Sequence, residues 1–223
     1  MRQLLLFLLM SNTIFLSLSQ HLKIGDWRMH LNYTNINIVV NDNSMVYVGT
    51  KSGLFTYNEA DNSIIEFSKL DGLSSLNITA LDYDNGLLVI GYSNGDIDVL
   101  QNNQIINIPY IESANILGSK KINHIFIDNG LAYASTPFGI VIINITNMEV
   151  KETCYLSVDG TSTEVFEAHV FDGSINSDAD SFLANKIFAA TNKGLFYANK
   201  NENLLNVDAW KNDSRISLVS ESD

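Results

Sequence analysis

The sequence predicts an all-β chain folded as a β-propeller, with about four four-stranded blades of an incomplete ring. Three observations predict it: a glycine-anchored repeat, strand composition between its turns, and no apolar period of 3.6 residues in any repeat. The repeats are MVYVGTKSGLFTYN, LLVIGYSNGDIDVL, LAYASTPFGIVIIN and KIFAATNKGLFYAN. They are anchored on Gly53, Gly95, Gly139 and Gly194, at spacings of 42, 44 and 55. Thr50, Tyr92, Thr136 and Thr191 stand three residues before the anchors, and the small residues Gly49, Gly91, Ser135 and Ala190 stand four before. A second shared piece lies upstream in NINIVVNDN, ITALDYDNG, INHIFIDNG and VFEAHVFDG. A four-stranded unit of this length is one propeller blade.

Taken in chain order, residues 1–19 read as a secretory signal peptide. Arg2 supplies the positive start, Leu4 to Met10 an apolar run, and Ser17 and Ser19 the small residues before a cut. Residues 20–223 then form a partial β-propeller domain. Within it, 22–34 is expected to be a ring-closing outer strand, because Gly25-Asp26-Trp27-Arg28 resembles Val207-Asp208-Ala209-Trp210. Blades are expected near 36–68, 78–110, 122–157 and 165–210. In each, Val, Ile, Tyr and Phe dominate runs of strand length. Asp84-Asn85-Gly86 and Asp128-Asn129-Gly130 mark the first hairpin, and Ser93-Asn94-Gly95 and Asn192-Lys193-Gly194 the second. A looser fourth strand follows, as in Ile64–Phe67 and Ile105–Ile108. The last blade carries an insertion near 174–185. Four blades rarely close a ring, so a partner blade is expected beyond residue 223.

Composition narrows function. The 223 residues carry 13 Lys+Arg against 25 Asp+Glu, a formal charge of −12, which repels a phosphate backbone and argues against nucleic acid as a partner. A single cysteine, Cys154, excludes an intrachain disulfide and multi-thiolate zinc sites. Beyond the signal peptide the arginines are Arg28 and Arg215, too few for the three-arginine clamp of a sialidase-type propeller.

No catalytic, cofactor-binding or metal residue is assigned, and the chain is not expected to be an enzyme. Asp82/Asp84 and Asp96/Asp98 are i, i+2 pairs that share a strand face, the arrangement acid/base work needs, but they sit where turn carboxylates are routine. His21, His30, His124 and His169 form no short metal motif. His124 and His169 occupy comparable places in two first strands and read as packed strand histidines. Asn176 to Asp180 imitates a calcium loop, but Ser181 and Ile187 stand where glycine and a bidentate acid are needed. Cys154 has no nearby histidine to activate it. Trp27, Tyr47, Tyr92, Tyr110 and Phe138 are aromatics of a possible binding face or of the core. That face comprises loops 69–77, 109–121 and 153–164 with turns 51–53, 93–95, 136–139 and 192–194, and the 174–185 insertion falls opposite.

Lys69-Leu70-Asp71-Gly72-Leu73-Ser74-Ser75-Leu76-Asn77-Ile78 resembles the interblade link of two-component-regulator propeller repeats. The order DWRMH, VYVGTKSGLFTY, LDGLSSLNITALDYD, LLVIGYSNGDIDVL, IPYIESANILGSKKIN, AYASTPFGIVIIN and NKGLFYANKNENLL is similar to the N-terminal propeller of the PorZ family of type IX secretion in Bacteroidota. IPYIESANILGSKKIN is the most discriminating piece, since blade geometry does not demand it. The resemblance implies a seven-bladed ring, a second propeller and a C-terminal secretion-signal domain. It also implies a cell-surface complex with PorU, PorV and PorQ that delivers anionic lipopolysaccharide to cargo. It carries no catalytic motif. The expected function is thus a non-enzymatic scaffold without cofactors, exported to the periplasm or the outer-membrane-associated surface. The alternative is a periplasmic glycan-sensing propeller of a hybrid two-component system.

Overall fold

The computed structural model describes residues 32–42, 44–158, 160–171 and 184–213. The chain divides into Met1–His30, which lies outside the described residues, and Leu31–Asp223, which holds every element below. The expected signal peptide and most of the 22–34 strand therefore lie outside the described residues, as do Trp27, His21, His30 and the calcium-like run 176–181.

Four antiparallel four-stranded sheets follow one another, each in simple sequential order. The first is β1 (Ile36–Asn41), β2 (Met45–Thr50), β3 (Leu54–Asn58) and β4 (Ile64–Phe67); the second is β5 (Ile78–Asp84), β6 (Leu87–Tyr92), β7 (Ile97–Gln101) and β8 (Gln104–Asn107). The third is β9 (His124–Asp128), β10 (Leu131–Thr136), β11 (Gly139–Asn144) and β12 (Glu149–Cys154). A small hairpin, β13 (Ser157–Val158) and β14 (Thr161–Ser162), precedes the fourth sheet of β15 (Val165–Phe171), β16 (Lys186–Thr191), β17 (Gly194–Asn199) and β18 (Lys211–Asn212). First strands pack on first strands, β1 on β5, β5 on β9 and β9 on β15, which makes them the inner strands of an incomplete β-propeller.

Strand alternation explains the stacking. In β6, Leu88 and Ile90 face the first sheet while Val89 faces the third. In β10, Ala132 and Ala134 face the second sheet while Tyr133 faces the fourth. Each apolar cluster is thus one interface between sheets, and each fully buried Leu or Ile side chain contributes about 1.5–3 kcal/mol. The outer faces at the two ends of the arc are different: Ile36, Val39 and Ile64 on the first sheet, and Phe166 and Phe171 on the fourth, are exposed.

Two local features depart from the sequence expectation. Val207–Ala209 is a 3-10 turn capped by the Asn206 side chain, and the outer strand of the fourth sheet comes after it, at Lys211–Asn212. The polar run there favours a side-chain-capped turn over strand pairing. The β13–β14 hairpin inside loop 153–164 carries no strong strand composition and was not anticipated.

Candidate functional site

The repeat signal turns out to be turn chemistry. Asn85 and Gly86 have φ of 47° and 86°, and Asn129 and Gly130 have 49° and 77°, the two left-handed residues a type I′ hairpin requires. At the second hairpin the Thr50, Thr136 and Thr191 hydroxyls each donate to the carbonyl of the anchor glycine, at 2.8, 2.8 and 2.6 Å. The same oxygens accept backbone N–H groups of the turn. Tyr92 breaks this pattern: its turn is one residue longer, closing on Asp96, and its hydroxyl donates to Asp98 at 2.6 Å.

In each sheet the second hairpin and the link to the next sheet lie at the same end, because the strands alternate in direction. The first link begins with a capping box, in which Ser68 and Asp71 bond reciprocally around a 3-10 turn, and Gly72 ends the turn at φ 110°. Leu73 then plugs the core between sheets one and two, and the Ser74 N–H donates to Asp98 at 2.9 Å. The second link contains a single helical turn, α1 (Tyr110–Ser113), pegged into the core by Ile108, Ile111 and Ile122. The Lys120 ammonium donates to the Glu112 carbonyl and folds the link back on itself.

This end displays apolar side chains to solvent. Leu70 and Leu76 in the first link, Tyr110 and Leu117 in the second and Tyr155 in the third are exposed, with Leu117 97 % accessible. Lys51, Lys69, Lys120, Lys121 and Lys193 lie on the same links and turns. The opposite end is acidic: an open cleft of about 520 Å³ is lined by Asp42, Tyr83 and Asp84 among others. Backbone N–H groups led by Ser44 hold Asp42 below the usual carboxylate range. Tyr47, stacked on Tyr83 with ring centroids 5.2 Å apart, has its hydroxyl pushed up to about 12, mainly by burial.

The other sequence candidates separate clearly. Asp98 is fully buried and accepts from Tyr92, Ser74 and Asn107, so it is an anchor for the link rather than half of an acid/base pair. Asp96 accepts from the Asn94 amide inside its turn. Asp82 accepts the Ile127 N–H at 2.6 Å and braces sheet two against sheet three, while Asp84 bonds Asn85. Cys154 is buried, and burial pushes its thiol up to about 12, which leaves it unreactive at neutral pH. Tyr92 and Phe138 are core residues; Tyr110 is exposed on its link. His124 and His169, read from sequence as separate strand histidines, come together with Glu167 between them.

Sequence reasoning missed a recurring clasp between sheets. The Asn37 amide donates to the Ile78 carbonyl at 2.7 Å, the Thr79 hydroxyl to the Ile122 carbonyl at 2.6 Å, and the Asn123 amide to the Val165 carbonyl at 2.9 Å. Asn37 and Thr79 stand at the bulges that open β1 and β5, where one extra residue turns its side chain toward the next sheet. The signal available was a polar donor near the start of each first strand, repeating at the blade period. The corresponding bulge residue of β15 is Phe166, which has no donor.

Stacked four-stranded antiparallel sheets, with links that present apolar and basic groups at one end, define a β-propeller binding module. The chain belongs to the PorZ N-terminal β-propeller family: the family described as TSS9, PorZ, N-terminal beta-propeller domain, matches residues 46–211. Among solved structures it is similar to PorZ of Porphyromonas gingivalis, described as an essential bacterial surface component of the type-IX secretion system, with 22 % identity and a TM-score of 0.70. That likeness covers 85 % of this chain and 24 % of that one, so the chain spans about a quarter of the solved protein. The extracellular domain of a hybrid two-component system of B. thetaiotaomicron is similar at 15 % identity and a TM-score of 0.61, covering 82 % of this chain and 23 % of that one. A computationally designed protein, Ika4, is similar at 15 % identity and a TM-score of 0.54, covering 76 % of this chain and 94 % of that one. No curated protein matches this chain.

Proposed function

We propose that the chain is the propeller of an exported PorZ-type scaffold of the type IX secretion machinery. In this reading it works by binding rather than catalysis, supporting cargo processing and lipopolysaccharide attachment at the cell surface. Its protein partners are PorU-, PorV- and PorQ-like components. The observation that carries the reading is the family match over residues 46–211, which includes the whole link Ile108–Asn123. The link end supplies the physical means. Exposed Leu70, Tyr110, Leu117 and Tyr155 are the apolar and aromatic anchors protein interfaces use, and nearby lysines offset the overall charge where an anionic partner would approach. Among the described residues no helix is long and apolar enough to cross a membrane.

The test is recovery of sortase-complex partners from Bacteroidota envelopes with the tagged chain, alongside a Leu117→Asp/Tyr110→Ser variant. Recovery by the parent and at least about a tenfold loss in the variant is expected, since buried anchors carry most interface energy. Absence of those partners together with saturable oligosaccharide binding would shift the reading to the glycan-sensing alternative.

A further inference from the structure

His124 opens β9 and His169 lies within β15, so neighbouring inner strands set the two imidazoles side by side, ring centroids 5.3 Å apart. Glu167, two residues before His169, reaches between them. Its Oε1 accepts from His169 Nε2 at 2.7 Å and lies 3.8 Å from His124 Nε2. One ligand atom from each of the three residues lies within 4.8 Å of the others. Among the described residues the His124 side chain has no hydrogen-bond partner: Nε2 stands beyond bonding distance of Glu167, and Nδ1 is buried without one. Nε2, the nitrogen that faces Glu167, is therefore open to a ligand atom.

We propose that His124, Glu167 and His169 form a binding site for a divalent transition-metal ion of the zinc class. Two imidazoles and one carboxylate suit Zn²⁺, Co²⁺ or Ni²⁺ rather than Ca²⁺ or Mg²⁺, which take all-oxygen sites. Three protein ligands leave a fourth tetrahedral position open to solvent or to a partner's side chain. The ion enters from solvent, since Glu167 and His169 are both partly exposed. Phe126 packs against the His169 ring at 4.6 Å between centroids and limits its rotation. His124 lies one blade period from Glu167 and His169, which is why no short sequence motif joins the three.

The experiment is calorimetric titration of the full chain with ZnCl₂, with Co²⁺ absorption to read nitrogen and oxygen coordination. One ion per chain is expected, together with a rise in thermal midpoint on adding Zn²⁺. Glu167→Gln and His169→Asn should each weaken binding at least about tenfold, with far-UV circular dichroism confirming that they fold. A His21→Gln/His30→Gln variant should bind as the parent does. Absence of saturable binding overturns the proposal, as does unchanged affinity in the two site variants. Loss of binding in the His21/His30 variant also overturns it, by placing the ion elsewhere.

Discussion

A methyl group does not fit at Gly91. Its Cβ would stand 2.6 Å from Ile122 Cγ2, and at Gly49 the corresponding atom would stand 2.6 Å from Ile78 Cγ2. Both glycines lie where the next sheet begins, and the isoleucine of that sheet occupies the space a side chain would need. Buried Ser135 holds the equivalent place in the third sheet, while Ala190 in the fourth is exposed. Gly91→Val should therefore lower unfolding free energy by about 1–3 kcal/mol, whereas Ala190→Val should stay within about 0.5 kcal/mol. Equal effects in urea titration would mean that crowding between sheets does not select the small residue. Asp82 gives a pH signature. Burial raises its carboxyl, against the opposing Ile127 and Tyr83 N–H bonds. The folded state thus binds this proton more readily than the unfolded one. Its contribution favours folding at low pH and is lost as pH rises through the folded value. The stability of Asp82→Asn relative to the parent should be greater at pH 7 than at pH 4, and a pH-independent difference would remove Asp82 as the cause.

At the level of elements, a side-chain donor on or just before one inner strand clasps a backbone carbonyl at or just before the next. Thr79→Val keeps shape but leaves the Ile122 carbonyl without its donor, at a cost of about 1–3 kcal/mol in urea unfolding. Asn37→Leu should behave similarly if the clasp is general, and no loss in either would show that water satisfies the carbonyl equally well. These joints mark the limit of what sequence could reveal. The anchor glycines, the asparagine-glycine hairpins and the alternating strands were legible because each works within about ten residues of chain. The clasps were not, since the donor changes from Asn37 to Thr79 to Asn123 and acts on a backbone atom 41 to 43 residues away. Burial was hidden in the same way. Asp96/Asp98 read as routine turn carboxylates, yet Asp98 is enclosed by Tyr92, Ser74 and Asn107 and is committed to holding a link. The His124–Glu167–His169 cluster likewise exists only once β9 and β15 are adjacent.

Across the whole molecule, stability should be unevenly distributed, because each sheet contacts only its neighbours, as in other repeat architectures. Sheets two and three are covered on both faces: β6, β7, β10 and β11 are buried over nearly their whole length. Among the described residues sheet one is covered on one face, and β1 and β4 show mostly exposed or half-exposed side chains. Amide hydrogen exchange of the full chain should follow this gradient, with the central strands at least about a hundredfold slower than β1 and β4. Mutational costs should follow it too. Ile97→Ala, in the interface between sheets two and three, removes a fully buried side chain and should cost about 2–5 kcal/mol, whereas Ile64→Ala, 61 % exposed on the first sheet, should cost under about 0.5 kcal/mol. Uniform protection across the sheets would instead require them to open as one unit. The clasps would then have to transmit cooperativity as strongly as the apolar interfaces do, and Thr79→Val should accelerate exchange in every sheet rather than only beside the broken joint. Hydrogen exchange on the parent and this one variant therefore decides between a molecule that frays from its uncovered faces and one that opens all at once.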